Sequence, residues 1–151
     1  MCIRDSHITA PDPASEQPAR AIKMAIQRAG LEPQDIDLVS AHGTSTQLND
    51  VSETKAIKKA LGEHAYKVAI TATKSMVGHT LGAAGAIGAL TAVKAIQTGV
   101  IPPTINLENP DPECDLDYVP NKARKQEVRT ALVNAFGFGG QNSVTVFKKY
   151  E

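Results

Sequence analysis

The chain has 151 residues, which is enough for one domain with a hydrophobic core. Its 16 basic and 16 acidic residues balance, so no basic field favours nucleic acid or an anionic membrane surface, and we expect neither as a partner. The longest weakly polar run, residues 82–93, is too short and too rich in small residues to span a bilayer. Two cysteines, Cys2 and Cys114, are too few for a disulfide framework and fit a reducing compartment.

The first residues, MCIRDS, lack the hydrophobic stretch of a signal peptide. The segment that follows, HITAPDP, is typical of the middle of a loop rather than the start of a domain. We interpret residues 1–6 as an assembly or sequencing scar joined to a truncated gene, and residues 7–151 as one domain.

Helices and short strands then alternate along the chain. Residues 16–30 carry apolar side chains at helical spacing and end at Gly30, which predicts an amphipathic helix. LVSAH, residues 38–42, predicts a brief buried strand.

A second helix and a second strand follow. Residues 48–62 predict a helix that Asn49 or Asp50 caps, with Glu53 in its first turn near the positive end of the helix dipole. KVAIT, residues 67–71, predicts the next strand.

The rest of the chain, from residue 82, predicts a glycine-rich helix, a long loop and two strands. The helix, residues 82–99, contains four glycines, so we expect it to be buried where backbones approach closely. The loop that follows is rich in proline and predicts at most one short strand, at residues 116–119. TALVNAF and SVTVFKKY, joined by a glycine-rich turn, predict two strands, so the chain belongs to the α/β class with a mixed sheet.

The first group of candidate site residues follows the strand LVSAH. In α/β sheets ligands bind beyond the carboxyl ends of strands, which directs His42 towards a cleft. Gly43 permits close approach of a ligand, and Thr44, Ser45 and Thr46 offer hydroxyl groups. The alternative is that His42 has only a structural role and that the hydroxyls cap the next helix.

A second group follows the next strand, in TKSMVGHTLGAAG. Burial and the positive end of the following helix would both disfavour a protonated His79, leaving a neutral ring able to donate a hydrogen bond to an oxyanion. Lys74 would then set the local electric field. The alternative makes Lys74 a surface cation and His79 a helix cap.

The third group is the turn NAFGFGGQNS. Glycines on both sides of Phe138 permit unusual backbone angles, so Phe138 could move at a pocket mouth and direct its N–H at a reacting oxygen. A plain hairpin turn with a buried aromatic ring is the alternative.

The remaining chemistry-bearing residues predict little. Acidic neighbours raise the pKa of Cys114, so an inert role is favoured over a nucleophile. His42, His64, His79 and Cys114 have no metal-ligand spacing, and we expect no metal and no cofactor.

AHGTSTQLND, TKSMVGHTLGAAGA, IPPTINLENPDPECDLDYVP and NAFGFGGQNS together resemble the C-terminal half of the β-ketoacyl-acyl carrier protein synthases, the condensing enzymes of fatty acid synthesis. The resemblance runs from about His7 to the end of the chain. It implies a thiolase-like fold, in which two similar halves form an αβαβα sandwich and this chain supplies the second half. Such enzymes decarboxylate malonyl-acyl carrier protein and join the resulting carbanion to an acyl group held on a cysteine.

The resemblance also implies roles for single residues. His42 and His79 match the two histidines that stabilise the enolate, and Lys74 matches the lysine of the same network. Thr44 and Thr46 match the threonines that bind the pantetheine arm of the carrier protein. Phe138 matches the gating phenylalanine, whose N–H contributes to the oxyanion hole. Thr44, Thr46 and Phe138 would therefore be the substrate-binding residues.

Two departures from the family pattern leave alternatives open. The nucleophilic cysteine of the family lies in the other half, so we expect this chain alone to be inactive. Gly88 occupies a position where a glutamate that pairs with the lysine is usual, whereas polyketide ketosynthases often have glycine there. A polyketide ketosynthase is therefore one alternative to a fatty acid enzyme, and a non-catalytic subunit of the chain-length-factor type is another, against which the retention of both histidines argues.

The resemblance implies the partners and compartment as well. The full-length protein is expected to bind acyl carrier protein, to form a homodimer and to lie in the bacterial cytoplasm, with a plastid as the alternative.

Overall fold

A computed structural model describes residues 9–150 of the chain; the scar predicted at residues 1–6 lies outside them. In chain order the helices and strands are α1 (Glu16–Arg28), β1 (Leu38–Ser40), α2 (Gln47–Leu61), β2 (Ala69–Thr71), α3 (Lys74–Val77), α4 (Ala84–Thr98), β3 (Val100–Ile101), β4 (Arg124–Lys125), β5 (Thr130–Gly137) and β6 (Gln141–Lys148). Short 3₁₀ turns lie at Pro33–Asp35, Gly62–Tyr66 and Leu81–Ala83.

The main sheet has four strands in the order β2-β1-β5-β6. β1 pairs in parallel with both β2 and β5, whereas β5 and β6 form an antiparallel hairpin, so the sheet is mixed. The carboxyl ends of the three parallel strands therefore meet at one edge. β3 and β4 form a separate antiparallel pair.

Helices cover both faces of this sheet. α1 and α2 pack against Val39, Ile70 and Leu132 on one face. α4 packs against the neighbouring strand residues, among them Leu38 and Ala131, on the other face. Because side chains alternate between the two faces of a strand, the apolar runs of β1, β2 and β5 fill both cores. The result is a three-layer α/β/α arrangement, as the alternation of elements predicted.

The glycine-rich helix is less buried than predicted. Within α4 only one side, represented by Gly88, Ala92 and Ala95, is buried. The opposite side is open, with Leu90 58% exposed, and Leu81 in the preceding turn is 78% exposed. The sequence showed that the helix is apolar, but not that just one of its sides rests on the sheet.

The same helical run also corrects the expectation about membrane length. Leu81–Thr98 has 18 residues and a mean hydropathy of 1.2, so by length and composition it is long enough to cross a membrane. The core helix of a soluble protein meets the same two criteria, and in this protein one side of the run lies against the sheet.

The strand predicted at residues 116–119 is not formed. This segment instead carries isolated contacts: Thr104 and Pro120 form a single β-bridge, and the Ile70 N–H donates to the Asp117 carbonyl at 2.8 Å. Proline at position 120 has no N–H to donate, which limits a ladder at this point.

The open side of α4 makes a prediction for the chain expressed alone. An apolar patch of this kind favours association in water, so we expect the 151-residue chain to self-associate and to bind a hydrophobic dye. Leu81→Lys with Leu90→Lys should raise the monomer fraction, measured by size-exclusion chromatography with light scattering. Tyr150→Lys is the matched control, because Tyr150 is 97% exposed at the other end of the sheet. A monomeric parent chain with a sharp cooperative melt would contradict this expectation.

Candidate active site

A cleft of about 1770 Å³ lies at the carboxyl ends of β1, β2 and β5. The six residues that the sequence put forward all line it: His42, Thr44, Thr46, Lys74, His79 and Phe138. Three separate junctions of the chain thus meet in one place, because parallel strands present their carboxyl ends at the same edge. A smaller cavity of about 610 Å³ at the opposite edge, beside Asp37 and Arg129, holds none of them.

Glu53 holds the turn that carries His42. Its carboxylate accepts hydrogen bonds from the His42 N–H at 2.8 Å and from the Gly43 N–H at 2.9 Å. The Asn134 side-chain amide donates a third hydrogen bond, at 2.9 Å, from β5. Gly43 has a φ of 45°, and a β-carbon there would lie 2.7 Å from the Ala72 side chain, so this tight turn needs glycine.

The position of Glu53 differs from the one predicted. It lies in the second turn of α2 rather than the first, and it is buried. Burial raises the pKa of the carboxyl group, whereas the hydrogen bonds from Gly43, Asn134 and His42 act to lower it. The sequence did contain a signal: Glu53 falls on the buried stripe of α2 with Ala56, Ile57 and Ala60, where an acid needs partners to be tolerated.

Lys74 lies at the start of α3 and its ammonium group donates a hydrogen bond to the His42 carbonyl. Burial lowers the pKa of Lys74, and the nearby charge of Glu53 opposes that change. The ammonium is thus directed into the site and is not the surface cation of the alternative interpretation.

The ring of His42 is held in a neutral form. Burial, then the charge of Lys74, then that of His79 lower its pKa from 6.5 to about 4. Its Nδ1 is buried and makes no hydrogen bond to any residue in the described range 9–150. The ring therefore has hydrogen-bonding capacity that the fold itself does not use.

His79 faces His42 across the cleft. The two ring centroids are 5.8 Å apart and the ring planes are nearly perpendicular, at 85°. His79 is exposed, so the predicted burial is wrong; its Nδ1 instead accepts a hydrogen bond from the Leu81 N–H at 3.0 Å. This bond favours the tautomer whose proton is on Nε2, which leaves Nε2 as a donor.

The hydroxyl residues have local partners. Thr44 and Thr46 lie with their hydroxyl oxygens 3.1 Å apart. Thr46, rather than Asn49 or Asp50, caps α2, since its side chain accepts from the Asn49 N–H at 3.3 Å. The capping role expected in the alternative interpretation is therefore present for Thr46, and both threonines still line the cleft.

Phe138 forms the tip of the β5–β6 hairpin. It is 75% exposed, so the alternative with a buried aromatic ring is wrong. Gly139 and Gly140 follow it with φ values of 76° and 75°, which a side chain would strain. Two residues earlier, the Phe136 ring lies 5.8 Å from the His42 ring and limits where that ring can move.

The remaining chemistry-bearing groups are candidate metal ligands and the thiol of Cys114. No group of three or more His, Cys, Asp and Glu side chains within that range is arranged to hold a metal ion. The pKa of Cys114 is raised, chiefly by burial, in the direction that the sequence predicted.

The arrangement suits the stabilisation of negative charge on a substrate oxygen. Two imidazole rings and an ammonium group converge on one cleft, and one ring has a donor at Nε2. Preorganised donors of this kind lower the energy of an enolate or alkoxide. A three-layer α/β/α half with this group at its strand ends is characteristic of the thiolase-like condensing enzymes.

Comparison with known proteins agrees with this class. Residues 2–108 match the family model "Beta-ketoacyl synthase, C-terminal domain". The chain belongs to the β-ketoacyl synthase family.

Relatives of known name cover almost the whole chain. The 3-oxoacyl-[acyl-carrier-protein] synthase 2 of Synechocystis sp. is 57% identical over 145 residues, which is 96% of this chain and 35% of that protein. The ishigamide ketosynthase/chain length factor structure is 43% identical with a TM-score of 0.91, over 97% of this chain and 35% of the other. A type II polyketide synthase ketosynthase, solved in complex with its acyl-carrier protein, is 41% identical with a TM-score of 0.94, over 97% of this chain and 36% of the other.

These structures show the thiolase-like fold that the sequence predicted. The chain spans about a third of the length of the relatives that it matches.

The environment of His42 predicts its titration. In full-length protein labelled at the histidine ring carbons, NMR should show His42 titrating with a midpoint of about 4. Lys74→Met should raise this pKa, since the charge of Lys74 lowers it, and Lys55→Met on the exposed side of α2 should not. The unfolded chain binds this proton below pH 6.5 and the folded chain only near pH 4, so His42 should make the free energy of unfolding fall as pH drops between these values. A parent midpoint near 6.5 would contradict the burial argument.

The Glu53 contacts predict a stability loss. Glu53→Gln replaces one acceptor oxygen with an amide that faces a donor, so we expect the free energy of unfolding to fall by about 1–3 kcal/mol. Chemical denaturation of the full-length protein measures it. Glu63→Gln is the control, because Glu63 is exposed just beyond the same helix. Equal stability of Glu53→Gln and the parent would show that the carboxylate does not hold the turn.

Proposed function

We propose that the full-length protein is a 3-oxoacyl-[acyl-carrier-protein] synthase that elongates acyl chains in fatty acid synthesis. The reaction is the decarboxylative Claisen condensation of malonyl-acyl carrier protein with an acyl group held as an enzyme thioester. The 57% identity with the Synechocystis enzyme over nearly the whole chain supports this substrate class.

One observation carries the proposal. The rings of His42 and His79 lie edge to face with centroids 5.8 Å apart, beside the ammonium group of Lys74, in a cleft at the strand ends. The ring of His42 is neutral at working pH in this proposal because its pKa is lowered to about 4, and His79 offers its Nε2 as a donor because its Nδ1 already accepts a hydrogen bond. A neutral imidazole ring keeps one N–H, which it can donate to an oxyanion.

The residues act on the malonyl thioester as follows. The bond between the malonyl C2 and its carboxylate breaks and carbon dioxide leaves, while the electron pair moves into the thioester carbonyl to give an enolate oxygen. His42 and His79 stabilise that oxygen, and Lys74 orients the His42 segment through its carbonyl. The C2 carbon then attacks the acyl thioester, a new carbon–carbon bond forms, and the cysteine thiolate leaves.

In this proposal the pantetheine arm of acyl carrier protein binds at the mouth of the cleft. Thr44 and Thr46 present hydroxyl groups there to the pantetheine amides. Thr46 also caps α2, whereas Thr44 does not. Phe138 at the exposed hairpin tip gates access, and its N–H contributes to the oxyanion hole. Acyl carrier protein is the partner, a proposal that the solved ketosynthase complex with an acyl-carrier protein supports.

A polyketide ketosynthase is the second candidate, and Gly88 favours it. The solved structures similar to the chain include the ishigamide ketosynthase/chain length factor at 43% identity and a type II polyketide synthase ketosynthase at 41% identity. A polyketide ketosynthase catalyses the same condensation as the fatty acid enzyme, but it extends a different growing chain. A non-catalytic chain-length-factor subunit fits less well, because it has no need of two paired imidazole rings.

The proposal extends to assembly and location. We infer a homodimer without membrane association, in the bacterial cytoplasm, where a reactive cysteine thiol stays reduced.

The proposal is tested by recovering the full-length protein and assaying malonyl-acyl carrier protein decarboxylation. His42→Ala and His79→Ala should each lower decarboxylation by about 10²-fold or more, because each removes an oxyanion donor. Acyl transfer to the cysteine should continue in both variants. Panels of fully reduced acyl chains and of β-ketoacyl chains as acyl donors then separate fatty acid from polyketide synthesis, because the two candidates differ in the growing chain.

His64→Ala is the matched control, since His64 bonds the Ile36 carbonyl far from the cleft and should leave the rate unchanged. If either site variant decarboxylates at the parent rate, that histidine is structural and the site assignment is wrong.

A further inference from the structure

Gly88 makes a contact with the sheet that a side chain would prevent. A β-carbon built at Gly88 lies 2.8 Å from Val133 Cγ1 and 3.5 Å from Ser40 Oγ. At the other glycine inside α4, Gly85, a β-carbon meets no described atom within 4 Å. Carbon atoms pack at about 3.5–4.0 Å, and the branched valine side chain is stiff, so a methyl group at position 88 would lift the helix.

The contact lies directly beneath the site. Ser40 is the last residue of β1, and it pairs with Val133 in the middle of β5. His42 follows Ser40 by two residues, and Asn134, which donates to Glu53, follows Val133. α4 therefore rests on the last residue pair of the β1–β5 ladder, next to the turn that carries His42.

The position of the His79 ring is coupled to the position of α4. His79 is bonded through its Nδ1 to the Leu81 N–H, and Leu81 starts the turn that leads directly into α4. His42 is tied instead to α2 and the sheet through Glu53. The height of α4 above the sheet thus sets the distance between the two rings.

We propose that Gly88 and Val133 form the spacer that sets the separation of His79 and His42, so that Gly88 is a positioning residue. It acts by having no side chain. The same contact leaves no room for a side chain at position 88, and α4 has no acidic side chain to pair with Lys74. His42 and Glu53 provide the groups that face Lys74 instead.

The test is a double-mutant cycle in the full-length protein, and its activity readout rests on the proposed function. Gly88→Ala should lower kcat for malonyl-acyl carrier protein decarboxylation by about tenfold or more with KM changed by less than about twofold, because sub-ångström displacement misplaces reacting groups. Val133→Ala removes the opposing methyl, so Gly88→Ala/Val133→Ala should recover to within about threefold of Val133→Ala alone. Ala86→Val, which adds methyl groups at an exposed position of α4 that does not line the cleft, should stay within about twofold of the parent.

Several outcomes overturn the inference. A parent-like kcat for Gly88→Ala does so, even if its melting temperature falls, because the contact is then merely structural. Failure of Val133→Ala to rescue Gly88→Ala also does so. If Gly88→Ala is insoluble, the double variant Gly88→Ala/Val133→Ala decides the question. A soluble and active double variant supports the spacer, and an insoluble or inactive one overturns it.

Crystal structures separate this inference from the proposed function. If the parent does not decarboxylate malonyl-acyl carrier protein, the proposed function fails, and ring geometry alone decides the spacer. The distance between the His42 and His79 ring centroids should exceed 5.8 Å in Gly88→Ala and return in the double variant. An unchanged distance in Gly88→Ala overturns the inference.

Discussion

The site depends on one buried carboxylate. Glu53 accepts hydrogen bonds from two consecutive backbone N–H groups after β1 and from the amide of Asn134 on β5. A buried acid without such donors would cost several kcal/mol, so the carboxylate and the turn stabilise each other. Because Glu53 belongs to α2, which packs on α1 and the sheet, the turn that carries His42 cannot shift without disturbing the hydrophobic core.

The sequence predicted the parts of the site that lie at strand ends. Short continuous apolar runs followed by glycine and polar residues locate such ends, and this was enough to bring His42, Lys74 and Phe138 to one edge. The fold class followed from the same alternation. Glu53 and Asn134 were missed because they are 81 residues apart in the chain and become partners only when α2 packs on β5.

The sequence could not predict which sides of the elements are covered. Apart from Thr91, residues 84–93 of α4 are glycine or apolar, so they gave no indication that one side rests on the sheet at Gly88 and the other is open at Leu90. His79 follows the same rule: Val77 and Leu81 lie two residues away on either side and are apolar, but His79 is exposed. Burial is a property of packing between distant segments, and a single sequence shows only the potential for it.

The two imidazole rings differ in their exposure to water, and this difference affects how the cleft excludes solvent. His42 lies in a low-dielectric setting that the chain builds by itself, whereas His79 meets bulk water. An enolate formed between them would be quenched by a solvent proton from the His79 side. The proposed chemistry therefore requires the full-length protein to exclude water from the His79 side of the cleft, which this chain alone leaves open.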